Sequence, residues 1–114
     1  MKICVPIDQD NGLNSVPSRD FGTAPLFLIH DTSSGETEVI ENLEKDVFDG
    51  TYDSLKTLGE HRFDVLLVGD IQDQVLSDLT KMGKNVYRAI AGTVEGNIKV
   101  LDRGDLYEIT CSDE

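Results

Sequence analysis

Near residue 50 the hydrophobic pattern of this chain changes period, and that change restricts the fold more than any single motif. In Lys2 to Asp8 and in Glu36 to Asn42 apolar residues alternate with their neighbours, the period of a strand. From Thr51 onward, helical spacing alternates with short, nearly continuous apolar runs. Such a chain can bury its apolar faces as a mixed sheet with helices packed on it.

The elements follow from this pattern. Lys2 to Asp8 sets Ile3, Val5 and Ile7 against Lys2, Cys4 and Pro6 and ends in carboxylates and Asn11-Gly12, a strand running out into a loop. Gln9 to Asp20 carries Asn, Gly, Pro and Ser without periodicity and reads as a loop of functional length. Ala24 to Asp31 is a second strand, Asp31 to Gly35 a turn, and Glu36 to Asn42 a third strand, which together predict an antiparallel meander. Thr51 to Leu58 has helical spacing, with Gly59 as its stop. Phe63 to Gly69 has the unbroken apolar character of a buried parallel strand. Gln72 to Met82 is a helix with Val75, Leu76 and Leu79 inward and Gly83 closing it, and Asn85 to Ile90 is a fifth strand. Thr93 can N-cap a last helix from Val94 to about Leu101, which Gly96 weakens. Gly104 to Tyr107 is expected to begin an exposed tail. Right-handed crossovers make the last strands parallel and place the first strand centrally, beside the fourth. The predicted fold class is α/β: a ribonuclease H-like, three-layer arrangement in which a five-stranded mixed sheet joins a meander of strands 1–3 to β-α-β-α units.

With 114 residues there is one core and one domain, expected over residues 1–107 with an acidic tail at 108–114. The formal charge is −12, and the Lys and Arg residues are scattered with no basic stripe. Binding to phosphate backbones needs clustered cations, so nucleic acid is not an expected partner. No apolar run reaches the roughly 20 residues of a membrane span. The N-terminus enters a strand without a cleavable apolar leader, so the expected location is the cytoplasm, with no membrane partner. Cys4 and Cys111 lie near opposite ends outside any Cys-x-x-Cys pair, which predicts neither a structural zinc site nor a disulfide scaffold.

The loop Ser15-Val16-Pro17-Ser18-Arg19-Asp20-Phe21-Gly22 is the principal site candidate. Arg19 can meet an anionic ligand at the carboxyl edge of the sheet, flanked by Ser18 and Asp20, while Phe21 also serves as a core plug and Gly22 as a turn residue. Gly92 and Thr93 could offer backbone N–H groups to an anion at the start of the last helix, although a plain N-cap accounts for Thr93 equally well. Cys4, Asp8 and Asp70 are candidate metal ligands. Cys4 is otherwise a small buried hydrophobe, and Asp8 and Asp70 end adjacent strands near Asp10. His30 and His61 have no second histidine at ligand spacing.

Several segments, in order, resemble the nitrogenase iron–molybdenum cofactor accessory family. They are Lys2 to Asp8, the run Ser18-Arg19-Asp20-Phe21-Gly22-Thr23-Ala24-Pro25-Leu26-Phe27, Glu41-Asn42, Phe63 to Ile71, Lys84 to Arg88, and Ala91-Gly92-Thr93-Val94-Glu95. The resemblance covers roughly residues 1–107. It implies a non-catalytic carrier for an iron–molybdenum or iron–sulfur cluster, acting with a partner protein of cluster assembly as a monomer or homodimer. Asp20 stands where cluster-binding members often carry His, and Gly69-Asp70-Ile71-Gln72 replaces a Gly-Gly-Ile-Gly loop. Carboxylates suit harder ions than the soft iron of such clusters. Two other functions fit the residues: a protein-interaction module of cluster metabolism, and a Mg²⁺-dependent nuclease-like enzyme in which Asp8 and Asp70 converge.

Overall fold

In the computed structural model, the residues described are 1–19, 24–41, 63–69, 71 and 73–109. Their elements are β1 (Lys2–Ile7), β2 (Leu26–Asp31), β3 (Thr37–Glu41), β4 (Val65–Val68), α1 (Asp73–Lys81), β5 (Asn85–Arg88) and α2 (Val94–Asp102). The strands form one five-stranded sheet in the order β3-β2-β1-β4-β5. β1 pairs antiparallel with β2 and β2 with β3, while β4 joins β1 and β5 in parallel. The meander, the central first strand and the parallel second half are thus as the periodicity predicts. The expected helix at Thr51–Leu58, together with Asn42, His61 and Cys111, lies outside the described residues.

Each face of the sheet has its own core, which gives three layers. On one face Cys4, Phe27, Ile29, Leu66, Val68 and Val86 pack with Leu76 and Leu79 of α1. On the other, Ile3, Val5, Ile7, Leu28, Val65 and Leu67 pack with Val94, Ile98 and Leu101 of α2. β1 is buried from Ile3 to Ile7, Cys4 and Pro6 included, because helices cover both faces of a central strand. α1 presents Leu76 and Leu79 to the sheet, as its spacing predicts.

Gly104–Tyr107, expected to open an exposed tail, instead returns to the sheet. Leu106 is buried in the α2-side core. Arg88 donates its N–H to the Tyr107 carbonyl at 2.8 Å, and Ile109 donates to the Val86 carbonyl at 2.7 Å. A bridge between Tyr87 and Glu108 continues the pairing. The segment satisfies the outer edge of β5, whose N–H and C=O groups would otherwise face solvent.

Candidate functional site

Because β1, β4 and β5 run parallel, their carboxyl ends meet at one edge of the sheet, where α/β folds commonly bind ligands. Three segments leave that edge: the loop after Ile7, Gly69 after β4, and Ala89–Gly92 between β5 and α2.

The loop after β1 is braced from within and without. Asp10 Oδ1 accepts the Gly12 N–H at 3.0 Å, and Ser15 Oγ, fully buried, accepts the Asn11 N–H at 2.8 Å. These side chains do the work of backbone partners in an irregular segment. Pro17 then bridges to Ile7, and Ser18 donates its N–H to the Pro6 carbonyl at 2.6 Å, so the loop returns alongside β1. Ser18 is buried and Arg19 is exposed. Asp20 and Gly22, the remaining candidates of this loop, lie outside the described residues.

Arg19 passes closely over Gly69. A Cβ placed on Gly69 would stand 2.9 Å from the Arg19 carbonyl oxygen and 3.2 Å from its Cα, so only glycine fits at the end of β4. Arg88, the last residue of β5, turns its guanidinium to the same place, with Nη1 donating to the Gly69 carbonyl at 3.3 Å. The Phe63–Gly69 run marks the strand end in the sequence, but nothing in it reveals this convergence.

On the other side, Gly92 adopts φ 119, a conformation L side chains rarely take, and turns the chain into α2. Thr93 is the N-cap, its Oγ1 accepting the Gly96 N–H at 3.1 Å. The Val94 N–H donates to Ser15 O at 2.7 Å, the Glu95 N–H to Leu13 O at 2.9 Å, and the Asn97 N–H to Thr93 O at 3.0 Å. All four N–H groups of the first turn are therefore used within the protein. The helix start is thus capped by Thr93 and by the loop after β1. Asn97, fully buried, fixes the preceding turn with a pair of bonds to Ile90, from its N–H at 2.7 Å and to its C=O at 3.0 Å, and a third to Thr93 O at 2.9 Å. Its spacing from Thr93 is the only sequence signal for this role.

Of the candidate metal ligands, Cys4 lies wholly in the α1-side core, where burial pushes its thiol well above the ordinary range. Asp8 is exposed at the end of β1, and Asp70 lies outside the described residues. Among the described residues no three His, Cys, Asp or Glu side chains come together as a metal site. His30 sits at the far end of the sheet, with Nδ1 2.9 Å from Thr37 Oγ1. No helix among the described residues is long and apolar enough to cross a membrane.

Solved structures share this architecture. A provisionally assigned NifB protein from Thermotoga is 28% identical, with a TM-score of 0.81 and coverage of 99% of this chain and 97% of that one. The apo form of the orange protein of Desulfovibrio gigas, at 20% identity, has a TM-score of 0.88 over 99% of this chain and 96% of that one. A provisionally assigned dinitrogenase from Methanocaldococcus jannaschii is 22% identical, with a TM-score of 0.73 and coverage of 98% and 97%. None of the curated proteins matches. The family model described as dinitrogenase iron-molybdenum cofactor matches residues 1–104, and the chain belongs to that family.

Proposed function

We propose that the protein is a non-catalytic carrier for a metal–sulfur cofactor of the iron–molybdenum or iron–sulfur type, and that the cargo sits at the carboxyl edge of β1, β4 and β5. The observation that carries this reading is the convergence of the Arg19 backbone and the Arg88 guanidinium on Gly69 at that edge, within a chain of the cofactor family. Residues 15–19 of the loop after β1 form one wall; Gly92 and Thr93 shape the other without contacting the cargo. The described donors at this edge are guanidinium and backbone groups, while the one described thiol is buried in the core. Such donors suit the outer sulfur or oxygen atoms of an anionic cluster, held by charge and hydrogen bonds rather than by metal–thiolate bonds. The nuclease-like alternative has no support in the described carboxylates: Asp8 is exposed, and Asp10 is engaged by Gly12.

Anaerobic reconstitution of the full chain with iron, sulfide and molybdate tests the reading. The expected result is a coloured protein with visible absorption and metal in fixed ratio to polypeptide after gel filtration. A colourless, metal-free protein from the same procedure would overturn it.

A further inference from the structure

Arg88 is held on both flanks. Inward, it pairs with Val68 in the parallel register of β4 and β5. Outward, its N–H donates to Tyr107 O at 2.8 Å, so the C-terminal segment locks its backbone in place. The side chain leaves this fixed point exposed at the carboxyl edge and, among the described residues, bonds to Gly69 O at 3.3 Å. That contact uses one of the five N–H donors of a guanidinium. The Arg19 backbone lies against the same glycine, its carbonyl oxygen 2.9 Å from where a Gly69 Cβ would stand. Two of only 10 cationic residues in a chain of net charge −12 therefore adjoin one glycine at the edge where three parallel strands end.

A staple for the chain after β4 would need no guanidinium fork and would gain little from one long, solvent-exposed bond. A planar fork on a rigid base is suited instead to a polyatomic anion with several acceptor atoms. We infer that Arg88 is the second cationic arm of the ligand site and that Arg19 and Arg88 clamp a polyatomic anion bearing peripheral oxygen or sulfur atoms above Gly69. The inference rests on the carrier reading for the identity of the cargo, but the clamp is tested separately with a simple anion. Both molybdate and an assembled metal–sulfide cluster offer this chemistry, and the two arms of the experiment distinguish them.

In one arm, molybdate is titrated into the ¹⁵N-labelled full chain while the arginine Nε–Hε signals are followed. In the other, cluster retention after anaerobic reconstitution is compared among wild type, Arg88→Gln, Arg88→Lys, Arg19→Gln and Lys81→Gln. Lys81 is an exposed cation in the last turn of α1, just before β5 begins, and serves as the control. The clamp requires saturable movement of the Arg19 and Arg88 signals. It also requires affinity to fall about tenfold in Arg88→Gln and in Arg19→Gln, the loss expected when one charge-assisted contact worth about 1.4 kcal/mol is removed. Arg88→Lys should recover part of the loss and Lys81→Gln should match wild type. Circular dichroism and the unfolding midpoint confirm that each variant is folded. Cluster retained equally by wild type and Arg88→Gln would overturn the clamp and leave the carrier standing. Molybdate bound through Arg88 with no cluster retained would keep the clamp and overturn the carrier. Failure of wild type in both arms would overturn both.

Discussion

The N–H of Val94 donates to the carbonyl of Ser15 at 2.7 Å, tying the first turn of α2 to the loop that follows β1. Beside it the Glu95 N–H takes Leu13 O, and Thr93 Oγ1 takes the Gly96 N–H. The helix start and one wall of the site are thus a single hydrogen-bonded unit. Thr93→Ala should lower unfolding stability by about 1 kcal/mol, the usual value of a side-chain N-cap, and Thr93→Ser should remain near wild type. Urea unfolding measures the difference. Amide exchange at Val94 and Glu95 should speed up in Thr93→Ala alone; equal midpoints for all three proteins would show that the loop carbonyls suffice to cap the helix.

Asn97 gives a sharper case. Its amide is fully buried and makes three hydrogen bonds to Ile90 and Thr93. Asn97→Leu leaves those backbone groups without their partner and should cost about 1–3 kcal/mol. Asn97→Asp keeps the acceptor for the Ile90 N–H but removes both donated bonds and introduces a charge in the core. It should therefore be the less stable of the two near neutral pH and improve as pH is lowered and the carboxyl takes a proton. If Asn97→Leu matched wild type in urea, the turn after β5 would not depend on this side chain.

At Gly69 the constraint is steric. An alanine methyl would meet the Arg19 carbonyl at 2.9 Å, and that oxygen belongs to backbone already bound to β1 through Ser18. Neither side can yield without moving the loop, so Gly69→Ala should destabilise by about 1–3 kcal/mol and displace Arg19. Backbone chemical-shift changes confined to residues 15–19 and 88, with a lowered melting temperature, are the expected signature. A melting temperature equal to wild type would show that the loop can rise freely from β4.

What the sequence discloses and what it conceals divide along contact range. Phe63–Gly69 reveals β4 because burial on both faces leaves a continuous apolar run, and the Leu76 and Leu79 spacing reveals α1 for a similarly local reason. Thr93 is legible as a cap because N-caps act within one turn. The carbonyls of Leu13 and Ser15 that complete that cap come from the other end of the chain and leave no periodic trace. The same holds for Leu106, which looks like a tail residue until its segment is seen paired with β5. Arg88 and Gly69 read separately as a strand-end cation and a strand-end glycine; only the parallel β4–β5 register brings them together.

Cys4 supplies a test that depends on pH. Its thiol is fully enclosed beneath α1, and burial pushes its pKa upward. In the folded protein it should resist disulfide-exchange reagents except when the domain opens, so its modification rate in a Cys111→Ser background should follow the opening equilibrium. The sign of the linkage is fixed by the direction of the shift. Below roughly pH 8.5, the ordinary thiol value, both folded and unfolded chains keep the proton and the Cys4 contribution is fully present. Above it the unfolded chain loses a proton that the folded chain retains, so stability falls as pH rises, by at most about 1.4 kcal/mol per pH unit. Cys4→Ala should remove that component of the alkaline loss while lowering stability modestly at neutral pH through the lost sulfur contacts. Urea unfolding from pH 7 to 10 in both proteins measures it. Parallel pH profiles, or rapid modification of Cys4 in the native state, would mean that the first strand is open to solvent and that its thiol is available as a ligand.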